Sequence, residues 1–166
     1  MKTLPALLVL VLAAAAPAQK MSSTAAPDGE HLLISLSAKG VQIYTCKQVN
    51  ANTQWVFEGP EATLSNAKGE AVGTHVAGPI WKYLDGSQVT AEVVATSEAP
   101  VANSIPWLLL HATNSKGSGL LSRVDAIRRT NTHGGIAPAT GCDAGHLNAT
   151  VRVPYTATYN FYSLQP

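Results

Sequence analysis

The chain has 166 residues, of which 46% are hydrophobic and 13% are charged, with 11 basic and 10 acidic side chains. A nearly neutral chain without a basic stripe is not expected to bind nucleic acid, because such surfaces need clustered cations to displace counterions from phosphates. The densest basic group is Arg123, Arg128 and Arg129, and Asp125 interrupts it.

The first 18 residues have the pattern of a signal peptide. Lys2 precedes the apolar run "LPALLVLVLAAAA", and Ala16-Pro17-Ala18 has the small-x-small form of a cleavage site. Cleavage would make Gln19 the first residue and leave about 148 residues, the size of one domain. An uncleaved anchor is the alternative, but the run is short for a membrane span. We therefore expect a secreted or periplasmic protein with no transmembrane segment after cleavage.

The mature chain is predicted to be a flexible leader, residues 19–30, followed by one β domain, residues 31–166. In the domain, short β-type runs alternate with turn residues every ten to fifteen positions. "HLLISL" is the first candidate strand. "VQIYTCKQV" and "TQWVFEG" are separated by the turn "NAN", which predicts a hairpin with Trp55 and Phe57 on one face.

A second hairpin is predicted around Asp85-Gly86, because Asp-Gly between two extended runs favours a turn with positive φ at both residues. "IPWLLLHA" is a continuous apolar run, typical of a strand buried on both faces. In "VRVPYTATYNFY", the residues from Val151 to Phe161 alternate at period two, with Tyr155 and Tyr159 on the apolar face. Pro154 places this strand at an edge or a bulge at that point, because proline cannot donate to a ladder.

Residues 120–129 fit either a helix or an irregular strand, since Leu120, Val124 and Ile127 recur at helical spacing. The remaining pattern predicts an all-β fold: a single-domain sandwich or barrel of about eight to ten mostly antiparallel strands with at most one short helix. Cys46 and Cys142 are the chain's two cysteines, and in an exported protein an even count predicts a disulfide. Two free thiols or a two-thiolate metal site are the alternatives.

Catalytic and cofactor motifs are lacking. Gly117-Ser118-Gly119 begins like a dinucleotide fingerprint, but Ser122 stands where glycine or alanine is needed and no strand–helix alternation surrounds it. The sequence contains no G-x-S-x-G elbow and no H-E-x-x-H or zinc-spaced cysteine pair. No cofactor and no metal are therefore predicted. Carboxylates such as Glu61 and Asp85 are either a catalytic pair or solvated surface acids.

Two loops resemble each other and could form the rim of a pocket. "THVAGP" carries His75 and "THGGIAP" carries His133, and each has glycine for close backbone approach and ends in proline. Trp81 and Tyr155 belong to a set of aromatics that either stack on a ligand or fill the core. The predicted ligand-binding residues are His75, Trp81, His133 and Tyr155. Asn148-Ala149-Thr150 is a glycosylation sequon that matters only in a host that glycosylates exported proteins.

Several of these stretches together resemble a known family. "GVQIYTC", "GPEATL", "GTHVAGPIW", "DGSQV", "IPWLLLHA", "TNTHGGIAP" with a following "GC", and "VRVPYTATYNFY" occur in order over about residues 30 to 163. The set resembles an exported bacterial and fungal family catalogued as a domain of unknown function. The resemblance implies one extracellular or periplasmic domain of mostly β structure. It places His75 and Trp81 in the family's glycine–proline loop, whereas His133 lies at a position where the family pattern specifies no residue type.

Fungal relatives in that family are often labelled malate dehydrogenase, a label that the missing nucleotide fingerprint does not support. Three hypotheses on function follow. The first is a small exported binding module for a carbohydrate, a cell-wall component or another small ligand. The second is an enzyme with His75 as the acid/base and Asp85 or Glu61 beside it. The third is a metal-binding protein that uses several histidines. The lack of a catalytic signature favours the first.

Overall fold

The computed structural model describes residues 23–165, so the predicted signal peptide and residues 19–22 of the predicted leader lie outside it. Within these residues, eight antiparallel strands follow one another around a closed barrel. The strands are β1 (His31–Val49), β2 (Asn52–Ser65), β3 (Ala71–Val76), β4 (Ile80–Tyr83), β5 (Gln88–Ser97), β6 (Trp107–Lys116), β7 (Ala126–Gly134) and β8 (Thr150–Ser163).

The barrel closes through a long ladder between the first and the last strand. β1 pairs with β8 from His31 opposite Ser163 to Thr45 opposite Thr150. The all-β prediction is confirmed, and of the two predicted architectures the chain forms the barrel, because this ladder leaves one continuous sheet rather than two facing sheets. The ambiguous segment 120–129 divides in two: a 3-10 helix spans Leu120–Arg123, and β7 begins at Ala126.

The core follows from alternation along the strands, since every second side chain points into the barrel. On β8, the predicted apolar face is buried at Tyr155, Ala157, Tyr159 and Phe161. Burial of each large apolar side chain contributes about 1.5–3 kcal/mol relative to exposure. The other large members of the core are Leu36, Leu64, Val72, Trp81, Val89, Ile105, Leu110, Leu121, Val124 and Ile127.

The prediction that "IPWLLLHA" is buried on both faces is wrong. On β6, Leu110 is buried, but Leu108 and Leu109 are only half-buried and His111 is exposed. The reason is that a strand of a closed antiparallel barrel has one face inside and one face toward solvent. Pro154 lies where the β7–β8 ladder has just ended, at Gly134 opposite Tyr155, as expected for a residue that cannot donate to that ladder.

A disulfide fixes the long β7–β8 connection against the β1–β2 hairpin. Cys46 on β1 is bonded to Cys142, with their Cα atoms 5.3 Å apart and the two residues 96 positions apart in sequence. This confirms the predicted pairing. The Trp55 indole donates to the Thr140 carbonyl at 3.0 Å, and the Thr53 hydroxyl donates to the Cys142 carbonyl at 3.2 Å. The connection is thereby held on one face of this hairpin.

The short β3–β4 hairpin leaves a notch in the barrel wall. β3 pairs with β2 only over Glu61–Ser65, and β4 pairs with β5 only over Gln88–Thr90. Beyond these ladders, residues 52–60 of β2 and residues 91–97 of β5 have no strand between them in the described part of the chain. The notch gives access to the barrel interior from the side.

Candidate ligand-binding site

A pocket of about 250 Å³ opens at the notch and reaches into the barrel. Its rim comes from β2, from the β3–β4 turn and from β5. Its inner wall comes from β1, β3, β4, β6, β7 and β8. The apolar part of the lining is Phe57, Pro60, Pro79, Val93, Leu108 and Leu110, and the polar and aromatic part is Gln42, Glu58, His75, Trp81, Arg129 and Tyr159.

His75 and Trp81 face each other across the β3–β4 hairpin. They are opposite residues in the ladder, and their rings stack with centroids 4.2 Å apart and planes 7° from parallel. The interpretation of "GTHVAGPIW" as a loop is therefore wrong, since only residues 77–79 form the turn, with Gly78 at φ 99°. The turn is short because a glycine at positive φ reverses the chain within three residues.

The His75 ring is buried, with 3% of its surface exposed. Its Nδ1 lies 3.1 Å from the Ile80 carbonyl, and a carbonyl can only accept, so Nδ1 carries the proton and Nε2 is an acceptor. Burial lowers the His75 pKa to about 4; the Ile80 bond opposes this shift and the Arg129 charge adds to it. The imidazole is therefore neutral at physiological pH and is a poor proton acceptor for acid/base chemistry.

Three buried polar atoms of the lining have no hydrogen-bond partner among residues 23–165. They are the amide Nε2 of Gln42, the indole Nε1 of Trp81 and the hydroxyl of Tyr159, on side chains that are at most 2% exposed. The Tyr159 ring packs edge-on against both His75 and Trp81, at centroid distances of 5.1 and 5.5 Å. Burial raises the pKa of the Tyr159 hydroxyl, so it stays protonated and can donate.

Tyr155 lies beside the pocket rather than in its lining. Its side chain is buried, and its hydroxyl is close enough to Tyr159 that each affects the pKa of the other. Nevertheless, neither hydroxyl reaches hydrogen-bonding geometry with the other or with the nearby Arg129. Tyr155 thus places a second unpartnered hydroxyl next to that of Tyr159, behind the pocket lining.

The structure separates the remaining predicted site residues from His75. Glu61 is exposed on the outer face of β2, 2.9 Å from Arg152, because its neighbour Ala62 is the residue that faces inward opposite His75. Asp85 lies in the turn at the other end of β4, where its carboxylate accepts from Ser87 and from the Leu120 N–H. The predicted grouping of His75 with Asp85 or Glu61 is not formed.

His133 is also apart from the pocket. It is exposed on β7, opposite Thr156. The two histidine-bearing stretches therefore do not form a common rim, because His75 points into the barrel from a strand whereas His133 points to solvent. Of the four predicted ligand-binding residues, the structure brings together His75 and Trp81, places Tyr155 next to them and leaves His133 outside.

Sequence reasoning missed Gln42, Arg129 and Tyr159 as site residues. Each is in phase with an inward-facing row: Gln42 follows Leu36, Ala38 and Gly40 at period two, and Arg129 lies directly opposite Tyr159. A polar residue in phase with the apolar face of a strand is predicted to point inward, and this pattern identifies Gln42 and Arg129 as candidate site residues. Arg129 was instead grouped with Arg123 and Arg128 as a surface patch.

Residues 23–165 contain neither a membrane-spanning helix nor a metal-binding cluster. No helix in this range is both long and apolar enough to cross a membrane. No group of three or more histidine, cysteine, aspartate or glutamate side chains is placed to hold a metal ion in this range. The five histidines of the chain lie on five different elements of the fold.

Comparisons with known proteins give a family. No curated protein and no solved structure matches the chain. A family does match, over residues 27–163, which include all eight strands and both cysteines. The chain therefore belongs to the family described as "Protein of unknown function (DUF3455)".

Proposed function

We propose that this protein is an exported binding module that holds a small, mainly apolar molecule in the pocket of its barrel. The observation that carries the proposal is that three residues lining one cavity, Gln42, Trp81 and Tyr159, each have a buried polar atom without a hydrogen-bond partner among the described residues. Leaving a buried donor or acceptor without a partner costs about 1–3 kcal/mol. Three such atoms on one apolar pocket are accounted for if a ligand supplies the missing partners.

The shape and lining of the pocket support a small ligand over an extended one. A cavity of about 150 Å³ holds benzene, so a pocket of 250 Å³ that is open at the notch accommodates a molecule of roughly ten to thirteen non-hydrogen atoms. Apolar walls with a few fixed polar groups are typical of small-molecule sites. Trp81 already has one face against His75 and is buried, so it is not a free platform for stacking on a sugar ring.

The pocket favours binding over acid/base catalysis. His75 is neutral and fixed by Ile80, and the nearest candidate partners, Glu61 and Asp85, lie outside the pocket. The acid that does line the pocket, Glu58, is exposed at the rim and lies 2.6 Å from Lys47. An ion pair at the rim does not supply the buried base that such chemistry needs.

A pair of adjacent valines allows a matched test. Val93 and Val94 on β5 are 51% and 53% exposed, but only Val93 belongs to the pocket lining. Isothermal titration calorimetry would use naphthalene-1-methanol, naphthalene-1-carboxylate and naphthalene-1-methylamine, which share one apolar ring system. We expect at least one of them to bind, Val93→Trp to weaken that binding at least about tenfold by filling the pocket, and Val94→Trp to leave it unchanged.

Two outcomes would contradict the proposal. One is that none of the three compounds binds to the wild-type protein. The other is that binding occurs but responds equally to Val93→Trp and Val94→Trp, which would place the site elsewhere. Circular dichroism of both variants is the control that the barrel is intact.

A further inference from the structure

Arg129 places a positive charge in the wall of the pocket. It lies on β7 between Leu108 on β6 and Tyr159 on β8, and both of these neighbours also line the pocket. Nε and Nη2 of the guanidinium donate to the Pro106 carbonyl at 3.1 and 2.9 Å. Arginine has five N–H donors, so this contact orients the group and leaves further donors available.

No carboxylate within residues 23–165 neutralises this guanidinium. The salt bridges in this range join Lys47 to Glu58, His146 to Asp143 and Arg152 to Glu61, and none includes Arg129. Glu58 is at the rim of the same pocket, but it is paired with Lys47. A partly buried charge without a counterion is costly, and proteins normally pair it or use it.

The charge of Arg129 acts on the interior of the barrel. It lowers the pKa of His75 on β3, of Tyr44 on β1 and of both Tyr155 and Tyr159 on β8. Burial has the larger effect on each group: it also lowers the pKa of the histidine, but it raises the pKa of the three tyrosines. These four groups belong to three different strands, and two of them, His75 and Tyr159, line the cavity. Since Arg129 is itself part of the pocket lining, its charge lies at this cavity.

The other unpartnered groups of the pocket are mostly donors. The indole N–H of Trp81 can only donate, the Nε2 amide of Gln42 donates, and the Tyr159 hydroxyl can donate. One cation and three donors around an otherwise apolar cavity match a ligand with a negatively charged, acceptor-only group at its inner end. A carboxylate has two oxygens that can accept from a guanidinium and from neighbouring donors together.

We propose that the ligand is a small monocarboxylate with an apolar body, held by Arg129 together with the donors of Gln42, Trp81 and Tyr159. This inference rests on the proposed function, since it names the class of molecule that the pocket takes. A single cation supports a single negative charge. The apolar walls from Leu108 to the rim at Phe57 and Val93 receive the rest of the molecule.

The test compares the three naphthalene compounds, which differ mainly in the charge of one substituent. We expect the carboxylate to bind about ten- to a hundred-fold tighter than the alcohol, and the methylamine to bind weakest, because charge-assisted hydrogen bonds in a pocket contribute that much. Arg129→Gln should remove the preference for the carboxylate and keep the affinity for the alcohol within about threefold. Arg123→Gln, an exposed arginine on the 3-10 helix, is the control of equal charge.

Arg129→Lys and Tyr159→Phe are two milder variants that keep the test decisive if Arg129→Gln does not fold. The lysine keeps the charge and should retain part of the preference, whereas the phenylalanine keeps the packing and removes one donor. Equal binding of carboxylate and alcohol, or a preference for the amine, would overturn the anion inference and leave the pocket as a binding site. Binding of none of the three compounds would overturn the proposed function itself.

Discussion

The imidazole of His75 lies flat on the indole of Trp81, 4.2 Å from it, and the Ile80 carbonyl next to Trp81 accepts the imidazole proton. One contact fixes the distance between the rings and the other fixes the rotation of the histidine. Tyr159 closes this arrangement from β8 by packing edge-on against both rings. One wall of the pocket is therefore a rigid aromatic cluster assembled before any ligand arrives.

We expect acid to destabilise the protein through His75. Its folded pKa of about 4 is below the ordinary value of 6.5, so the unfolded chain binds the proton more tightly. The stabilisation is fully present above pH 6.5 and is lost as the pH falls toward 4. Between pH 6.5 and 5 the loss is roughly 2 kcal/mol. Urea unfolding at several pH values would measure it.

His75→Phe is the variant that isolates this effect, because phenylalanine can keep the stacking on Trp81 and does not titrate. The difference in unfolding free energy between wild type and His75→Phe should shrink or reverse as the pH falls from 6.5 to 5. His133→Phe changes an exposed histidine and is the matched control. If the unfolding free energies of wild type and His75→Phe changed in parallel with pH, the acid sensitivity would not come from His75.

Reduction of the disulfide should destabilise the barrel substantially. Cys46 and Cys142 close a loop of 96 positions, and a cross-link of that span contributes roughly 4–5 kcal/mol by restricting the unfolded chain. Guanidinium unfolding with and without reductant would measure the loss. The double variant Cys46→Ser, Cys142→Ser should show the lower stability and no response to reductant. An unchanged midpoint of the wild type in reductant would be inconsistent with this account.

Gly59 should be required at the rim of the pocket. A Cβ at this position would lie 2.5 Å from the Ala77 Cβ, and its φ of 153° also disfavours other residues. Gly59→Ala should therefore push the β3–β4 turn away from β2, lower the unfolding free energy by about 1–3 kcal/mol and weaken ligand binding. Gly69→Ala is the control, since Gly69 also has positive φ but has open space around it.

Asp85 should matter for stability and not for binding. Its carboxylate holds the β4–β5 turn to Ser87 and reaches the first N–H of the 3-10 helix at Leu120. These hydrogen bonds lower its pKa, led by the one from the Ser87 hydroxyl. Asp85→Asn should lower the melting temperature and leave the calorimetric affinity for the naphthalene compounds unchanged. If the folded Asp85→Asn variant bound the naphthalene compounds more weakly than the wild type does, Asp85 would contribute to binding and the prediction would be wrong.

Local patterns predicted the local structure well. The Asp85-Gly86 turn, the "NAN" turn and the alternating face of β8 are each specified by neighbouring residues, and each occurs in the structure. The predicted positive φ at both Asp85 and Gly86 is wrong, because it is found at Gly86 only. The disulfide was predictable because two cysteines allow only one pairing. In contrast, the choice between a sandwich and a barrel depends on whether β1 reaches β8, a contact that no short stretch of sequence determines.

The site was predictable only in part for the same reason. His75 and Trp81 were found because they lie in one conspicuous stretch and pair across one hairpin. Arg129 comes from a distant strand, and its role depends on the side of the sheet that it faces. That side is set by the register with β8, where Arg129 is opposite Tyr159, while its neighbour Arg128 points the other way and donates to Thr24.

The pairing of β1 with β8 also governs the order in which the protein can form. Partners in this ladder are more than a hundred positions apart, so β1 cannot pair with β8 until almost the whole domain has been synthesised. Folds dominated by such distant pairs form slowly, because the chain loses the entropy of a long loop before it gains the contacts. The barrel of a nascent chain therefore stays open until β8 has been synthesised. The pocket, to which β8 contributes Tyr159, forms only when the barrel closes.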